Sequence, residues 1–169
     1  MHSTPLQTIP RLLFCLALLG LIGCAGRSLP DYERPLPRAD VQKIRTTAYT
    51  HTEKDHRKYG ARNALGTPLR SGSINSAAAD WSRWPVGTVF QIVATGEVYE
   101  VDDYGWALAG RNTIDLYKPN HAAMKDWGVR RVTLHILEWG DLNKSRRILE
   151  PRRKHKHVRR MLAQIDDQL

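Results

Sequence analysis

Six short β-prone runs, separated by turn residues, set the strongest limit on what this chain can fold into. They occupy 43–50, 73–79, 87–94, 97–105, 112–117 and 130–139. Most are rich in the β-branched and aromatic residues that favour strands, whereas 73–79 consists mainly of small residues. Gly and Pro residues lie between them, as in ALGTP, WPVGT and ATGE, where turns are expected. Six short strands in about a hundred residues predict a mainly β fold, a small closed barrel.

One short helix is expected among these strands. In the segment PNHAAMKDWG, which begins at Pro119, Asn120 is suited to cap the first turn of a helix and Gly128 to end its last turn.

The C-terminal segment 141–169 is predicted to be a basic tail, helical in part. It has nine Lys or Arg against four Asp or Glu, in a chain of formal net charge +9. Its apolar residues recur at helical spacing behind Pro151: Val158, Met161, Leu162, Ile165 and Leu169. The tail has two interpretations. It could attract anionic envelope surfaces, or it could be a solvated helix packed weakly on the domain.

The N-terminus has the pattern of a secretory signal peptide over residues 1–23. The apolar run LLFCLALLGLIG follows Arg11 and is too short to span a bilayer, which takes about 20 residues. A buried core helix is the alternative. The letters LIGC resemble a bacterial lipobox, which implies that Cys24 becomes the acylated N-terminus and anchors the protein to a membrane. Ala25 after it favours the outer membrane, facing the periplasm, in a Gram-negative cell.

Composition divides the rest of the chain into three parts. Residues 24–40 hold three prolines with balanced charge and are expected to form an extended tether. Residues 41–140 contain the six strands and form the predicted barrel, and 141–169 is the tail. Nucleic acid is not an expected partner, because a lipoprotein with this signal is expected outside the cytoplasm.

Three aspartates stand out in or beside the predicted strands. Alternation in VYEVDD places Asp103 with Val101 on the more apolar face and Asp102 on the wetter face, where we expect it to be solvated. In NTIDLY, Asp115 should point away from the core. Asp80 follows a strand of small residues and precedes a Pro-Gly turn, where an aspartate commonly hydrogen-bonds to nearby backbone.

Five ordered motifs in the chain resemble the 3D domain, a family named for three aspartates. They are TTAYT (46–50), AADWSRWPVGT (78–88), VDDYGWALAG (101–110), TIDLY (113–117) and MKDWGVRRVTLHIL (124–137). The domain occurs in membrane-bound lytic transglycosylase A and in cell-wall stationary-phase proteins. The resemblance covers roughly residues 45–138, and it implies a six-stranded double-psi β-barrel.

The resemblance also implies a site. The three aspartates of the family pattern fall on Asp80, Asp103 and Asp115, and Asp102 has no counterpart. The third, Asp115, matches the catalytic acid/base of lytic transglycosylases of this type. We expect Asp103 to lie near it, because a neighbouring carboxylate would help to retain a proton on Asp115.

Aromatic residues beside the aspartates could contact a sugar, because an apolar ring with a polar tip suits a pyranose face. The flanking rings are Trp81, Trp84, Trp106 and Tyr104. Trp106 and Tyr104 are the candidates for the site, Trp106 as an exposed stacking residue. The alternative is that two or three of the four rings belong to the core. Arg70 lies about where relatives carry a cation facing the substrate. An ordinary surface arginine is the alternative.

Two functions from different classes follow from this sequence. The first is an enzyme, a peptidoglycan lytic transglycosylase that forms 1,6-anhydro-muramic acid. The second is a non-catalytic barrel that binds peptidoglycan glycan strands. No metal or other cofactor is expected, because His51, Asp55 and His56, which could be ligands, are interpreted as solvated loop residues.

Overall fold

The computed structural model describes residues 28–54 and 56–169. The strands are β1 (Val41–Tyr49), β2 (Asn75–Ala78), β3 (Val89–Ile92), β4 (Val98–Asp103), β5 (Thr113–Tyr117) and β6 (Arg130–Glu138). The α-helices are α1 (His121–Trp127), α2 (Leu142–Leu149) and α3 (Lys156–Asp166), and 3₁₀ turns form at Arg57–Tyr59, Trp106–Leu108 and Glu150–Arg152. All six predicted strands are present, and their ends agree with the prediction to within two residues.

The six strands form one sheet in the order β1-β5-β2-β4-β3-β6, and β6 pairs with β1 to close it. Two of the pairings, β1 with β5 and β2 with β4, are parallel. The other four are antiparallel. With its three short helices the fold is mixed rather than mainly β, and the sheet is its centre.

Alternating residues of the strands fill the inside of the sheet. The most enclosed include Ile44, Phe90, Ile92, Tyr99, Val101, Ile114, Leu116 and Leu134, each at most 1% exposed. Trp81 and Trp84, in the turn after β2, are also fully buried. These two tryptophans are therefore core residues, which was the alternative open for the aromatic residues near the aspartates.

Helix α1 begins and ends where the sequence predicts. The Asn120 side chain accepts a hydrogen bond from the backbone N–H of Ala123 at 3.0 Å. Gly128 ends the helix with a φ of +58°, a conformation that costs glycine little.

The C-terminal tail is helical, as predicted, but it is an integral part of the core. Helix α3 places its apolar stripe in the same buried cluster as the strands: Val158, Met161, Leu162 and Ile165. Leu149 at the end of α2 joins them and has no exposed surface. The weakly packed solvated helix is therefore wrong, because this stripe is enclosed; only Leu169 of the predicted stripe remains exposed.

The described part of the predicted tether, residues 28–40, has no helix or strand and lies against the domain. The backbone N–H of Glu33 donates to the carbonyl oxygen of Gly110 at 2.8 Å. Arg160 of α3 donates to the carbonyl oxygen of Pro30 at 2.6 Å. These contacts attach this part of the segment to the domain, so it is not a free spacer there.

The predicted signal peptide, the acylated Cys24 and the first residues of the tether lie outside the described residues. Among the helices that are described, none combines the length and the apolar character needed to cross a bilayer.

Candidate functional site

Two of the three aspartates lie in one row on the outer face of the sheet. Thr47 is opposite Asp115, Asp115 is opposite Ala78, and Ala78 is opposite Asp103. Residues paired across strands project to the same face, so Asp115 and Asp103 flank the small side chain of Ala78. Two strand spacings separate their Cα atoms by roughly 10 Å. The prediction that Asp115 points away from the core is confirmed, since both of its sequence neighbours are buried inside.

The carboxyl group of Asp115 is half-buried and has one described hydrogen-bond partner. The hydroxyl of Thr47 donates to Oδ1 of Asp115 at 2.6 Å. Burial raises the pKa of Asp115 to about 6, and the negative charge of Glu53 contributes to the increase. The Thr47 hydrogen bond and the positive charge of Arg45 act in the opposite direction. Near neutral pH, Asp115 is therefore a carboxyl group that can both release and accept a proton.

Asp103 is more enclosed, with only 7% of its surface exposed. Its Oδ1 accepts from the backbone N–H of Tyr104 at 2.9 Å, and its Oδ2 accepts from the hydroxyl of Tyr49 at 3.1 Å. Burial raises its pKa to about 7, and the charge of Asp102 adds to the effect. Because the pKa of Tyr49 is also raised well above its usual value, the phenol keeps its proton and remains a donor to Asp103.

We expected Asp103 to help retain a proton on Asp115, but the pKa of each carboxyl group is raised by other groups. The acidic neighbour that raises the pKa of Asp115 is Glu53, and the one that raises the pKa of Asp103 is Asp102. Burial is the larger cause in both. The spacing across Ala78 explains the difference, because the interaction between two charges weakens as their separation increases.

A bulge in β4 overturns the expected position of Asp103. Ala77 pairs with Val101, but the next residue, Ala78, pairs with Asp103, so Asp102 is an extra residue without a partner in the ladder. A bulge of this kind interrupts strict alternation. Asp103 therefore shares the outer face with Ala78 instead of the inner face with Val101.

Asp102 is buried, so the prediction that it is solvated is wrong. It is 1% exposed, and its Oδ2 accepts from Ser76 at 2.6 Å, Asn63 at 2.9 Å and Arg70 at 3.0 Å. Burial raises its pKa, and these three donors act in the opposite direction. Ser76 is opposite Glu100 in the ladder, so Asp102 lies on the side of Glu100 as predicted, but polar groups of the preceding loop and β2 enclose it there.

Arg70 forms ion pairs with two carboxylates of the protein. Its Nη2 donates to Glu100 at 2.9 Å as well as to Asp102 at 3.0 Å. The side chain is still 40% exposed, so part of the guanidinium faces solvent. A substrate carboxylate at this position would have to share Arg70 with these two acids.

Asp80 does not join the row. Its Oδ1 accepts from the backbone N–H of Ser82 at 2.9 Å and from the Ser82 hydroxyl at 2.6 Å. Its Oδ2 accepts from the backbone N–H of Gly110 at 2.5 Å. With no exposed surface, Asp80 fastens the turn after β2 to the loop before β5. This geometry fits the turn-forming alternative, and Asp80 acts on the row through the backbone that it positions.

The two aromatic candidates occupy different settings. The ring of Tyr104 packs edge-on against Trp81, with centroids 5.0 Å apart, and its hydroxyl accepts from Arg152 of the tail at 3.2 Å. Tyr104 therefore links the site loop to the tail. Trp106 begins the 3₁₀ turn in the same loop and is half-buried rather than fully exposed, which leaves part of its ring accessible.

Three contact residues were missed by the sequence reasoning: Thr47 and Glu53 near Asp115, and Tyr49 on Asp103. Thr47 and Tyr49 are alternate residues of TTAYT, so alternation along β1 could have placed both on the face of Asp115. No sequence pattern indicated Glu53, because it lies in the loop after β1. Its Oε2 accepts from the backbone N–H of Thr50 at 3.1 Å.

The described residues offer no cluster of three or more His, Cys, Asp or Glu side chains that could hold a metal ion. Two clefts, of about 380 and 490 Å³, lie away from the row. The first is lined in part by Arg83 and Trp139, and the second by Asn75 and Glu97. Comparison of the chain with known proteins found neither a matching family model nor a matching curated relative.

Proposed function

We propose that this protein is a peptidoglycan lytic transglycosylase built on a 3D-type double-psi β-barrel. The closed six-stranded sheet with two parallel pairings supports this barrel type. The observation that carries the activity is Asp115, a half-buried carboxyl group whose pKa is raised to about 6 on an outer face that a polymer can approach.

The reaction needs one group that gives a proton and then takes one back. Asp115 donates its proton to the oxygen that links muramic acid to N-acetylglucosamine, and the glycosidic C–O bond breaks. The 6-hydroxyl of the muramyl residue attacks its anomeric carbon and returns a proton to Asp115, which forms the 1,6-anhydro ring. No water is consumed, and Asp115 finishes in its starting form.

Neighbouring groups tune this carboxyl for both steps. The hydroxyl of Thr47 holds one oxygen of Asp115 in place at 2.6 Å. Burial and the charge of Glu53 keep the pKa of Asp115 high enough for a useful protonated fraction. When it is ionised, Asp103 adds negative charge to the same outer face, which favours the oxocarbenium-like transition state.

The loop after β4 completes the proposed substrate site. Trp106 stacks on a sugar ring through its accessible part, whereas Tyr104 and Arg70 hold the loop and strand through their contacts with Arg152 and Asp102. Asp80 keeps the same loop in register through Gly110.

The second candidate is a barrel that binds glycan strands without cleaving them. The enclosure of Asp103, at 7% exposure, favours it, because a carboxylate this covered contacts a substrate only through movement of Tyr49 or the loop. In that case the raised pKa values of the row would be consequences of burial alone.

Cleavage products decide between the two candidates. Incubation of the purified protein with peptidoglycan, followed by mass spectrometry, should yield 1,6-anhydro-muramyl fragments. Asp115→Asn should lower their rate of formation by roughly 10²–10⁴-fold. Asp126→Asn is the matched control, since its carboxylate is 90% exposed on α1 and its loss should leave the rate unchanged. Absence of products, with equal sedimentation of wild type and Asp115→Asn on sacculi, would identify the binding module.

The proposed location is the cell envelope, through a lipid on Cys24. Replacement of Cys24 by Ala should leave the precursor unprocessed or release the protein from the membrane fraction. A Cys24→Ala protein that is still processed and equally membrane-bound would rule out the lipid anchor.

A further inference from the structure

Three cations occupy neighbouring positions on the outer face of β1 and β6. Lys43 and Arg45 alternate along β1, and Arg131 of β6 lies directly opposite Arg45. Ile44, which lies between Lys43 and Arg45, and Val132, which follows Arg131, are buried in the core. The three cations therefore project outward. We refer to Lys43, Arg45 and Arg131 as the basic strip.

The basic strip is not neutralised by the fold. Arg45 and Arg131 are like charges in directly opposite positions of two paired strands, which is a destabilising arrangement. No acid within the described ranges forms an ion pair with any of the three. Among the residues that the structure describes, the guanidinium of Arg45 donates one hydrogen bond, a long one of 3.4 Å, to the hydroxyl of Thr113. An anionic ligand would relieve this repulsion.

The strip leads directly to the proposed acid/base. Thr47 is the next outward residue of β1 after Arg45, and its hydroxyl holds Asp115 at 2.6 Å. The positive charge of Arg45 also lowers the pKa of Asp115. From Lys43 to Thr47 the strand rises roughly 13 Å, so a polymer bound across Asp115 would pass over the strip.

We propose that the basic strip binds the free carboxylates of the stem peptides that the lactyl groups of the glycan carry, and thereby selects strands with anionic stem peptides over neutral ones. This inference rests on the proposed function for the position of the glycan. Its chemistry is specific, because two guanidinium groups side by side suit planar carboxylates. The strip also differs from the tail in location, so the two basic regions can be tested separately.

The test measures binding rather than turnover, with Asp115→Asn protein so that the glycan is not consumed. Two glycan probes are compared: native peptide-bearing strands and the same strands with their carboxylates converted to amides. The strip variant combines Arg45→Gln with Arg131→Gln. The control combines Arg34→Gln with Lys125→Gln, which removes the same charge from exposed positions outside both the strip and the tail. Circular dichroism checks that both variants are folded.

On native strands the strip variant should bind roughly 2- to 30-fold more weakly, as expected for two partly exposed ionic contacts. The control should lose less than the strip variant. Amidation should weaken binding of the parent protein and have little effect on the strip variant. Equal binding of native and amidated strands by the parent, or an equal loss in the control, would overturn the proposal. The proposed lytic transglycosylase activity is tested separately. If it is absent, wild type yields no anhydro products while these binding differences persist.

Discussion

Removal of the Asp103 charge should make the folded protein more stable at alkaline pH. Burial raises the pKa of Asp103 from 3.8 to about 7, so the folded state binds this proton more tightly than the unfolded state. The contribution of Asp103 to stability therefore falls as pH rises from about 4, and its full loss is present once pH exceeds about 7. At 1.36 kcal/mol per pKa unit, the ionised carboxylate costs about 4 kcal/mol. This is a large part of the stability of an ordinary domain.

Asp103→Asn removes this cost and keeps the shape of the side chain. The Asn oxygen can still accept from the backbone N–H of Tyr104, and its NH₂ group can donate to the hydroxyl of Tyr49. At pH 4 the variant and wild type should unfold with similar free energies. At pH 8 the variant should be more stable by up to about 4 kcal/mol.

Urea unfolding at pH 4, 6 and 8, followed by tryptophan fluorescence, measures the difference. The protein has five tryptophans, of which Trp81 and Trp84 are fully buried, so the signal reports on the core. Asp126→Asn on the exposed face of α1 is the control and should show no such gain. A free-energy difference between Asp103→Asn and wild type that is constant across this pH range would refute the burial argument.

Three further predictions test the packing of the fold and the electrostatics of the site. At Gly140 an added Cβ would lie 2.4 Å from two backbone oxygens, whereas at Gly72 nothing lies within 4 Å. In urea unfolding, Gly140→Ala should therefore cost about 1–3 kcal/mol or more, and Gly72→Ala should cost little. Arg45→Gln should raise the pKa of Asp115 above its value of about 6, because the charge of Arg45 lowers it; an unchanged carboxyl titration by NMR would contradict this. Met161→Ala should cost about 2–5 kcal/mol in urea unfolding, because Met161 has no exposed surface, and a near-zero cost would mean that α3 packs loosely.

Local patterns in the sequence were sufficient for the strands and for α1. Alternation within NTIDLY correctly directed Asp115 outward, because β5 is regular and its apolar residues Ile114 and Leu116 must face the core. The cap at Asn120 was equally readable, since it depends on contacts within a few residues. These features are set by nearest neighbours along the chain.

Features that depend on distant segments were not readable. The spacing of the apolar residues in α3 predicted an amphipathic helix, but nothing in 141–169 indicated that its apolar stripe packs into the core of the strands. The segment 28–40 has the composition of a spacer, yet Glu33 pairs with Arg111 at 2.7 Å. In both cases the partner is remote in sequence, so composition alone favoured a detached segment.

The error at Asp102 and Asp103 explains how the candidate site is built. A regular β4 would have placed Asp103 on the inner face with Val101, where an ionised carboxylate has no compensating partners. The extra residue at the bulge turns Asp103 outward, to the row that already holds Asp115. Asp102 is the extra residue of the bulge, and it is enclosed by Ser76, Asn63 and Arg70. The fold thus requires polar donors around Asp102 because of the same irregularity that brings Asp103 to the outer face.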